Sequence, residues 1–542
     1  MSQQRKLEYI AWEIAESIMA RSRVPLQILK MHPCGGQYAC LGVLPAEEPF
    51  RPESIASINL HGEHINTHEG LIESYPHLYE QDKESLLQTI ASKCHYNLAP
   101  NPVRTHASVR FIRDLLLDDK FEACKITAAW YDASYGAHLD ESAVRFPLYD
   151  LKHKSKVSSP HLPWWTISMN NTTLAMCNTV SDELVLFSGT RYNLEYSAPK
   201  AILALRRLII MHTEFGDVVS AVSSLLDANR EDWEPRYSRY ADTISDNMVK
   251  IQAVQKTYSE WVPLKLYMNV PHARNIRKKV RFELRYMGQT VANLESKDTL
   301  RLTTTRRQQA TNKKSFACSI QLENADWTGP ESREFRDFFK DMDRKNPPSV
   351  KIAGNEEQRL QSLLISEFSK TGKNDKALSN IQPVKMAKIR FPMPTPISIT
   401  DHRTIHYAGI YGVAIDLLAR TGKSSKTTTL CIMELKDENL ASEPPIEALK
   451  QAIAYAAFLR ELLRSSNTDS GEIGRKWWNL FGFTSPIPEK LTLCAACVMP
   501  ANGNIDTSFT DMELAIGSDT IRLHYLYFDE EDNRIKKIQT SL

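Results

Sequence analysis

Between Tyr411 and Tyr455 the chain reads YGVAIDLLARTG, TTTLCIMELKDE and PIEALKQAIAYAAFL. The first two pieces are short, apolar and rich in β-branched residues, and each stops at polar residues or glycine, which is the pattern of strands. The third carries Pro445 near its start and apolar residues at Ile446, Leu449, Ile453, Ala456 and Leu459, the spacing of a helix. Asp416 is expected inside the first strand, and Glu434 and Lys436 at the end of the second. Side chains alternate along a strand, so Glu434 and Lys436 project from the same face. A charged pair on one face of an apolar strand is costly to bury unless something binds there. Two carboxylates and a lysine brought together by adjacent strands make a hard-cation site with a charged group beside it.

A chain of 542 residues is too long for a single core, so several domains are expected. Mean hydropathy of -0.37 suits a soluble protein. The formal charge of +2 leaves recognition to local patches. The 9 cysteines follow no framework spacing. Cys494 and Cys497 form one CxxC within the apolar run LTLCAACVM, which favours buried strand residues over a zinc site. This cysteine usage fits a reducing, cytoplasmic setting. The opening MSQQRKLEYIAWEIAES has no apolar signal core, and no stretch is expected to reach membrane-spanning length, so no membrane partner is expected.

The expected organisation has four parts. Residues 1–157 form an α+β domain. It opens with a helix over residues 4–22 and continues through strands at LQILKMH, QYACLGVL and SIASINL, helices at ESLLQTIASKC and ASVRFIRDLLLDD, and a strand at CKITAAWYD. Its histidines His61, His64 and His68 lie close together. Exposed hairpin positions fit them better than metal ligation. Residues 158–261 form a mixed, largely helical region, with strands at TTLAMCNTV and DELVLFSG and helix from about Pro199 to Tyr258, a spacer or a surface for a homo-oligomer. Trp164 and Trp165 fit core packing more readily than base stacking. Residues 262–345 form a β-rich basic domain, with strands at VRFELRYMGQTVANL and SFACSIQL. Arg277, Lys278, Lys279, Arg306 and Arg307 belong to its basic stripe, which suits either a nucleic-acid phosphate path or a solvated face. Residues 346–542 form the domain that holds the 411–455 stretch.

That last domain has the order helix (NEEQRLQSLLISEF), strands (VKMAKIRFP, YGVAIDLLAR, TLCIMELK), helix (PIEALKQAIAYAAFLRELLRS) and strand (LTLCAACVMP). With Asp416, Glu434-Leu-Lys436 and the Gln451-x3-Tyr455 pair, it resembles the PD-(D/E)xK nuclease superfamily, in particular its RecB-like branch. Ile415 stands where many members carry proline. Glu357 lies in the preceding helix, where many members carry an additional acid, and Glu356 and Glu367 are rivals for that place. The resemblance implies a restriction-endonuclease-like α/β core, a mixed central sheet flanked by helices. It also implies Mg²⁺ or Mn²⁺ held by Asp416, Glu434 and Glu357, with Lys436 positioning water and Gln451 and Tyr455 orienting substrate or the lysine. The implied reaction is hydrolysis of DNA, in an anti-phage defence effector or a repair and recombination nuclease. The same residues in an inactive nucleic-acid-binding protein are the alternative from another class. The run KMHPCGGQYACLGVL followed by INLHGEHINTH, with its Gly35-Gly36 pair, is similar to YbjN-like and secretion-chaperone-like domains. That similarity implies a protein or peptide partner for the N-terminal domain.

Overall fold

The computed structural model describes residues 3–30, 40–45, 56–59, 64–67, 70–74, 98–128, 164–169, 172–186, 190–258, 263–270, 280–296, 299–345, 356–368, 381–386, 389–399, 404–422, 428–440, 443–465, 473–503, 505–510 and 512–542. The fold is mixed α+β with several sheets, in two compact units, Met1–Thr213 and Glu214–Leu542.

In the first unit the expected opening helix spans Gln3–Arg21. Its Arg5 is buried and donates to the carbonyls of Leu115, Leu116 and Phe121 at 2.7, 2.8 and 2.6 Å. Leu115 and Leu116 close the helix Ala107–Leu117, whose last carbonyls have no partner within the helix, so the guanidinium caps that end. Among the described residues the unit also holds two five-stranded antiparallel sheets. The second joins Lys125–Ala128 to Trp164–Met169, so it takes strands from both sides of the boundary expected at 157/158. Trp165 is buried, its ring edge-on to Trp12 at 4.7 Å, and its Nε1 donates to the Ile28 carbonyl. Packing, and not base stacking, is its role. The Gly35-Gly36 pair, His61, His68 and the helix expected over residues 84–94 lie outside the described residues. His64 opens the strand His64–Thr67.

The helical region runs through Leu194–Ala228, Arg230–Asp246 and Met248–Thr257. The first of these, 35 residues long, is by length and composition apolar enough to cross a membrane, against expectation. Of its most apolar window 44% is buried inside the fold.

Among its described residues the second unit holds two seven-stranded sheets and the hairpin Ile397–Ile399/Ile405–Tyr407. One sheet runs from Ala325–Asp326 through Leu300–Thr303, Gln289–Ser296, Arg281–Tyr286 and Lys265–Asn269 to Ile389–Arg390 and Lys385–Met386. Tyr267 pairs in parallel with Arg390, so this sheet crosses the boundary expected at 345/346. The strand expected at SFACSIQL is not formed. Thr305 and Gln308 make a reciprocal capping box that starts the helix Arg306–Phe316, and Ala317 ends it in a left-handed conformation. Local capping overrides a weak alternation.

The other sheet carries the 411–455 stretch. Its strands are β1 (Ile381–Pro383), β2 (Leu417–Thr421), β3 (Thr429–Leu435), β4 (Thr492–Pro500), β5 (Glu513–Ile516), β6 (Asp519–Glu531) and β7 (Arg534–Thr540), ordered β1-β2-β3-β4-β6-β5 with β7 on β6. β2 and β3 are antiparallel, whereas β3, β4 and β6 are parallel. Helix α1 (Glu356–Phe368) packs Leu360, Leu364, Ile365 and Phe368 onto Cys431, Met433, Leu435, Cys494 and Val498. Each such side chain, fully buried, contributes about 1.5–3 kcal/mol. Helix α2 (Pro445–Arg464) packs against β3 and β4. Cys494 and Cys497 are buried strand residues, as expected. Glu434 alternates with Met433 and Leu435, and so leaves β3 on the face opposite α1.

Candidate active site

Asp416 does not lie inside a strand. It immediately precedes β2, because residues 413–415 bond instead to the chain at 393–395. Thr395 N–H donates to the Val413 carbonyl, and Ile415 N–H to that of Met393. Asp416 still reaches β3, since the Leu435 N–H donates to its Oδ2 at 3.0 Å. Gln361 on α1 donates to the Asp416 carbonyl. Asp416 lies close enough to Glu434 for its charge to disfavour ionisation there, and Glu434 is only 6% exposed.

Lys436 follows β3, its N–H donating to the Val498 carbonyl at 3.0 Å. Its Nζ is 3.3 Å from Glu434, 3.3 Å from Glu443 and 3.9 Å from Glu357. One ammonium thus faces three carboxylates, with Asp416 behind Glu434. Burial pushes Asp416 up to about 6. Burial, with Asp416 beside it, pushes Glu357 up to about 7. The same two causes raise Glu434 well above the ordinary carboxylate range. Burial opposes the charge on Lys436, but Glu434, Glu357 and Glu443 outweigh it and hold the ammonium at about 12. Burial raises the Tyr455 hydroxyl, and the charges of Glu434, Asp416 and Glu357 add to that. Negative charge here exceeds what one lysine neutralises.

Glu357 is the acid of α1 that meets Lys436. Its neighbour Glu356 is committed to Arg359, whose Nε lies 2.9 Å from it. Glu367 lies ten residues beyond Glu357, roughly 15 Å along the helix. Tyr455 is buried on α2, and Gln451 is half-buried one turn before it. Arg277, Lys278 and Lys279 lie outside the described residues. Arg306 and Arg307 are exposed, but in the first turn of a helix and not on a strand. Elsewhere on the expected basic stripe, Arg285 donates to Glu283 at 2.7 Å and stacks on Tyr267.

Two residues of the cluster escaped the sequence. Gln361 had a signal, standing four residues after Glu357 and so on the same helix face. Glu443 had none, being one of several acids in the run DENLASE. Among the described residues no three His, Cys, Asp or Glu side chains stand in metal-ligating arrangement. The donor set is nonetheless all oxygen, anionic and under-neutralised, which fits a hard divalent cation. No protein family, curated protein or solved structure matches this chain.

Proposed function

We propose that the protein is a divalent-metal-dependent nuclease that hydrolyses phosphodiester bonds within DNA, built on a restriction-endonuclease-like core of the PD-(D/E)xK type. The observation that carries this reading is the meeting of Asp416, Glu434 and Glu357 with Lys436 at the ends of β2, β3 and α1. A mixed sheet between two helices supports it. Asp416, Glu434 and Glu357 would hold Mg²⁺ or Mn²⁺, and a bound ion supplies charge for the phosphoryl oxygen and acidifies a water. Lys436, held protonated, donates to that water's position and stabilises the negative charge that grows on the phosphate. Tyr455 and Gln451 orient the lysine or the substrate. In the cell this reading places the protein in the cytoplasm as an anti-phage defence effector.

Supercoiled plasmid DNA incubated with the full chain tests the activity. With Mg²⁺ the plasmid should be nicked or linearised, and with EDTA it should stay intact. Glu434→Gln and Lys436→Ala should each abolish cleavage while the protein stays folded. A Glu434→Gln protein that cuts at the wild-type rate would sink the assignment.

A further inference from the structure

Asp416, Glu434 and Glu357 have a part in the nuclease reading, whereas Glu443, which also reaches Lys436, has none. The Glu443 carboxylate lies 3.3 Å from Lys436 Nζ, as near as that of Glu434 and nearer than that of Glu357 at 3.9 Å. The Glu434 side chain is 8% exposed and that of Glu443 47%, so burial does not oblige Glu443 to pair. The chain nevertheless fixes where it stands. Glu443 closes the segment that leaves β3 at Lys436, and that segment is tethered at two points. Asn439 Nδ2 donates to the Pro500 carbonyl at the end of β4 at 3.2 Å, and Gly503 comes so close that a Cβ there would overlap the Asn439 carbonyl oxygen. The Glu443 N–H donates to the Leu440 carbonyl at 3.2 Å, and Glu443 is followed by Pro444, which caps α2, and by Pro445, which opens it. Proline locks its own φ and restricts the residue before it, so the Glu443 backbone is stiff before any side-chain contact forms. Helix α2 packs on β3 and β4, so Glu443 is held in the same frame as Lys436.

Lys436 leans on Glu434 and Glu357, and these are also acids proposed to hold the divalent ion. An oxygen turned toward a dication has less charge to offer an ammonium, and the dication repels that ammonium at short range. Glu443 is the partner of Lys436 that lies outside the proposed ligand set. Resting on the nuclease reading for this cluster, we infer that Glu443 is a positioning residue, which takes over Lys436 when Glu434 and Glu357 engage a divalent cation and so keeps the ammonium in the site. Charge alone does not call for it. The carboxylates of Asp416, Glu434 and Glu357 already balance a dication and the single ammonium of Lys436. Glu443 instead determines where the ammonium stays once that balance is reached.

The test follows Lys436 itself, in the full chain without nucleic acid. Limiting acetic anhydride labels lysines, and peptide mass spectrometry reads the rate at Lys436 in wild type and Glu443→Gln, with EDTA or with saturating Mg²⁺. In EDTA, where Glu434 and Glu357 hold the ammonium, the two proteins should label at similar rates. With Mg²⁺, Lys436 of Glu443→Gln should label about two- to fivefold faster than that of wild type, the range for a part-exposed ion pair. Mg²⁺ affinity by calorimetry should be the same in both. In plasmid cleavage kcat should drop by a similar factor with KM unchanged, and Glu443→Asp should recover part of it. Equal Lys436 labelling of the two proteins in Mg²⁺ overturns the inference. So does a faster rate in Glu443→Gln that is the same in EDTA, which would make Glu443 a static ion-pair partner. Weaker Mg²⁺ binding by Glu443→Gln overturns it too, since Glu443 would then be a ligand. The Mg²⁺-dependent labelling difference in a protein that cuts no nucleic acid would keep this inference and remove the nuclease reading, and cleavage with equal labelling would do the reverse.

Discussion

At the scale of single residues, the molecule concentrates unneutralised acid in one place. The ordinary carboxyl value of 3.8 rises to about 6 for Asp416, with burial as the main cause. Glu357 is raised further, to about 7. A carboxyl whose folded value lies above its unfolded value binds its proton more tightly when folded. Its contribution to stability is complete below about pH 4 and is lost as pH rises through the folded value. The share of the metal-free protein's stability that these carboxyls supply should therefore fall between about pH 4 and pH 7, against the opposite trend of the buried His106 and His212, whose values burial lowers. Asp416→Asn should flatten that fall, and Mg²⁺ should raise the melting temperature most at the upper end, where the carboxylates are ionised. Melting curves across this range, with and without Mg²⁺, check all three. A melting-temperature difference between wild type and Asp416→Asn that stays constant from pH 4 to pH 7 would mean that these carboxyls are not buried as described.

At the scale of elements, the site depends on where α1 is held. Arg359 is buried near the start of α1 and bonds Glu530 and Asn533 at the β6–β7 turn at 3.2 and 2.5 Å. On another side, Gly288 has a φ of +79° and lies so close to Gln358 that a Cβ would meet its carbonyl oxygen at 2.3 Å. These contacts set the register in which Glu357 and Gln361 reach Lys436 and Asp416. Arg359→Met removes the link to β6–β7 and should cost about 1–3 kcal/mol, the range for losing a hydrogen-bonded charge. Urea unfolding should show a lower midpoint at unchanged slope. Plasmid cleavage should fall in parallel, although Arg359 touches none of the proposed reacting groups. Unchanged midpoint and cleavage would show that α1 is held without this clamp.

At the scale of the whole molecule, the Lys436 cluster cannot be cut out along the boundary expected at residue 345/346. The strands Lys385–Met386 and Ile389–Arg390 complete a sheet whose other strands come from residues 265–326. Helix Arg230–Asp246 also packs into the same core. Trp477 Nε1 donates to the Tyr237 carbonyl, and the Tyr237 ring lies 5.0 Å from that of Phe458 on α2. A fragment of residues 346–542 should therefore lack a cooperative unfolding transition, whereas one starting at Leu194 should keep it. Near-ultraviolet circular dichroism during thermal unfolding distinguishes them. A sharp transition in the shorter fragment would show that its own sheet suffices.

What local chemistry determines was legible in the residues themselves. The helix at Pro445, the strand that carries Glu434 next to its end and the buried Cys494 and Cys497 all follow from apolar periodicity, which belongs to the residues before any packing. The strand pattern also brought Asp416, Glu434 and Lys436 together, whereas Glu357 entered only through the resemblance to the nuclease superfamily, with Glu356 and Glu367 as rivals. The tertiary structure decided the remainder. Asp416 left its strand because residues 413–415 bond to 393–395, a pairing that no local pattern announces. The segment at SFACSIQL became the end of a capped helix and an irregular stretch, because a capping box outweighs a short alternation. The parallel Tyr267–Arg390 pairing joined two expected domains into one sheet. Glu443 came to Lys436 from an acidic loop in which nothing distinguishes it from Asp437 or Glu438. Contacts between residues distant in sequence depend on which surfaces finally pack together, and hydrophobic periodicity records which face is buried but not what it is buried against.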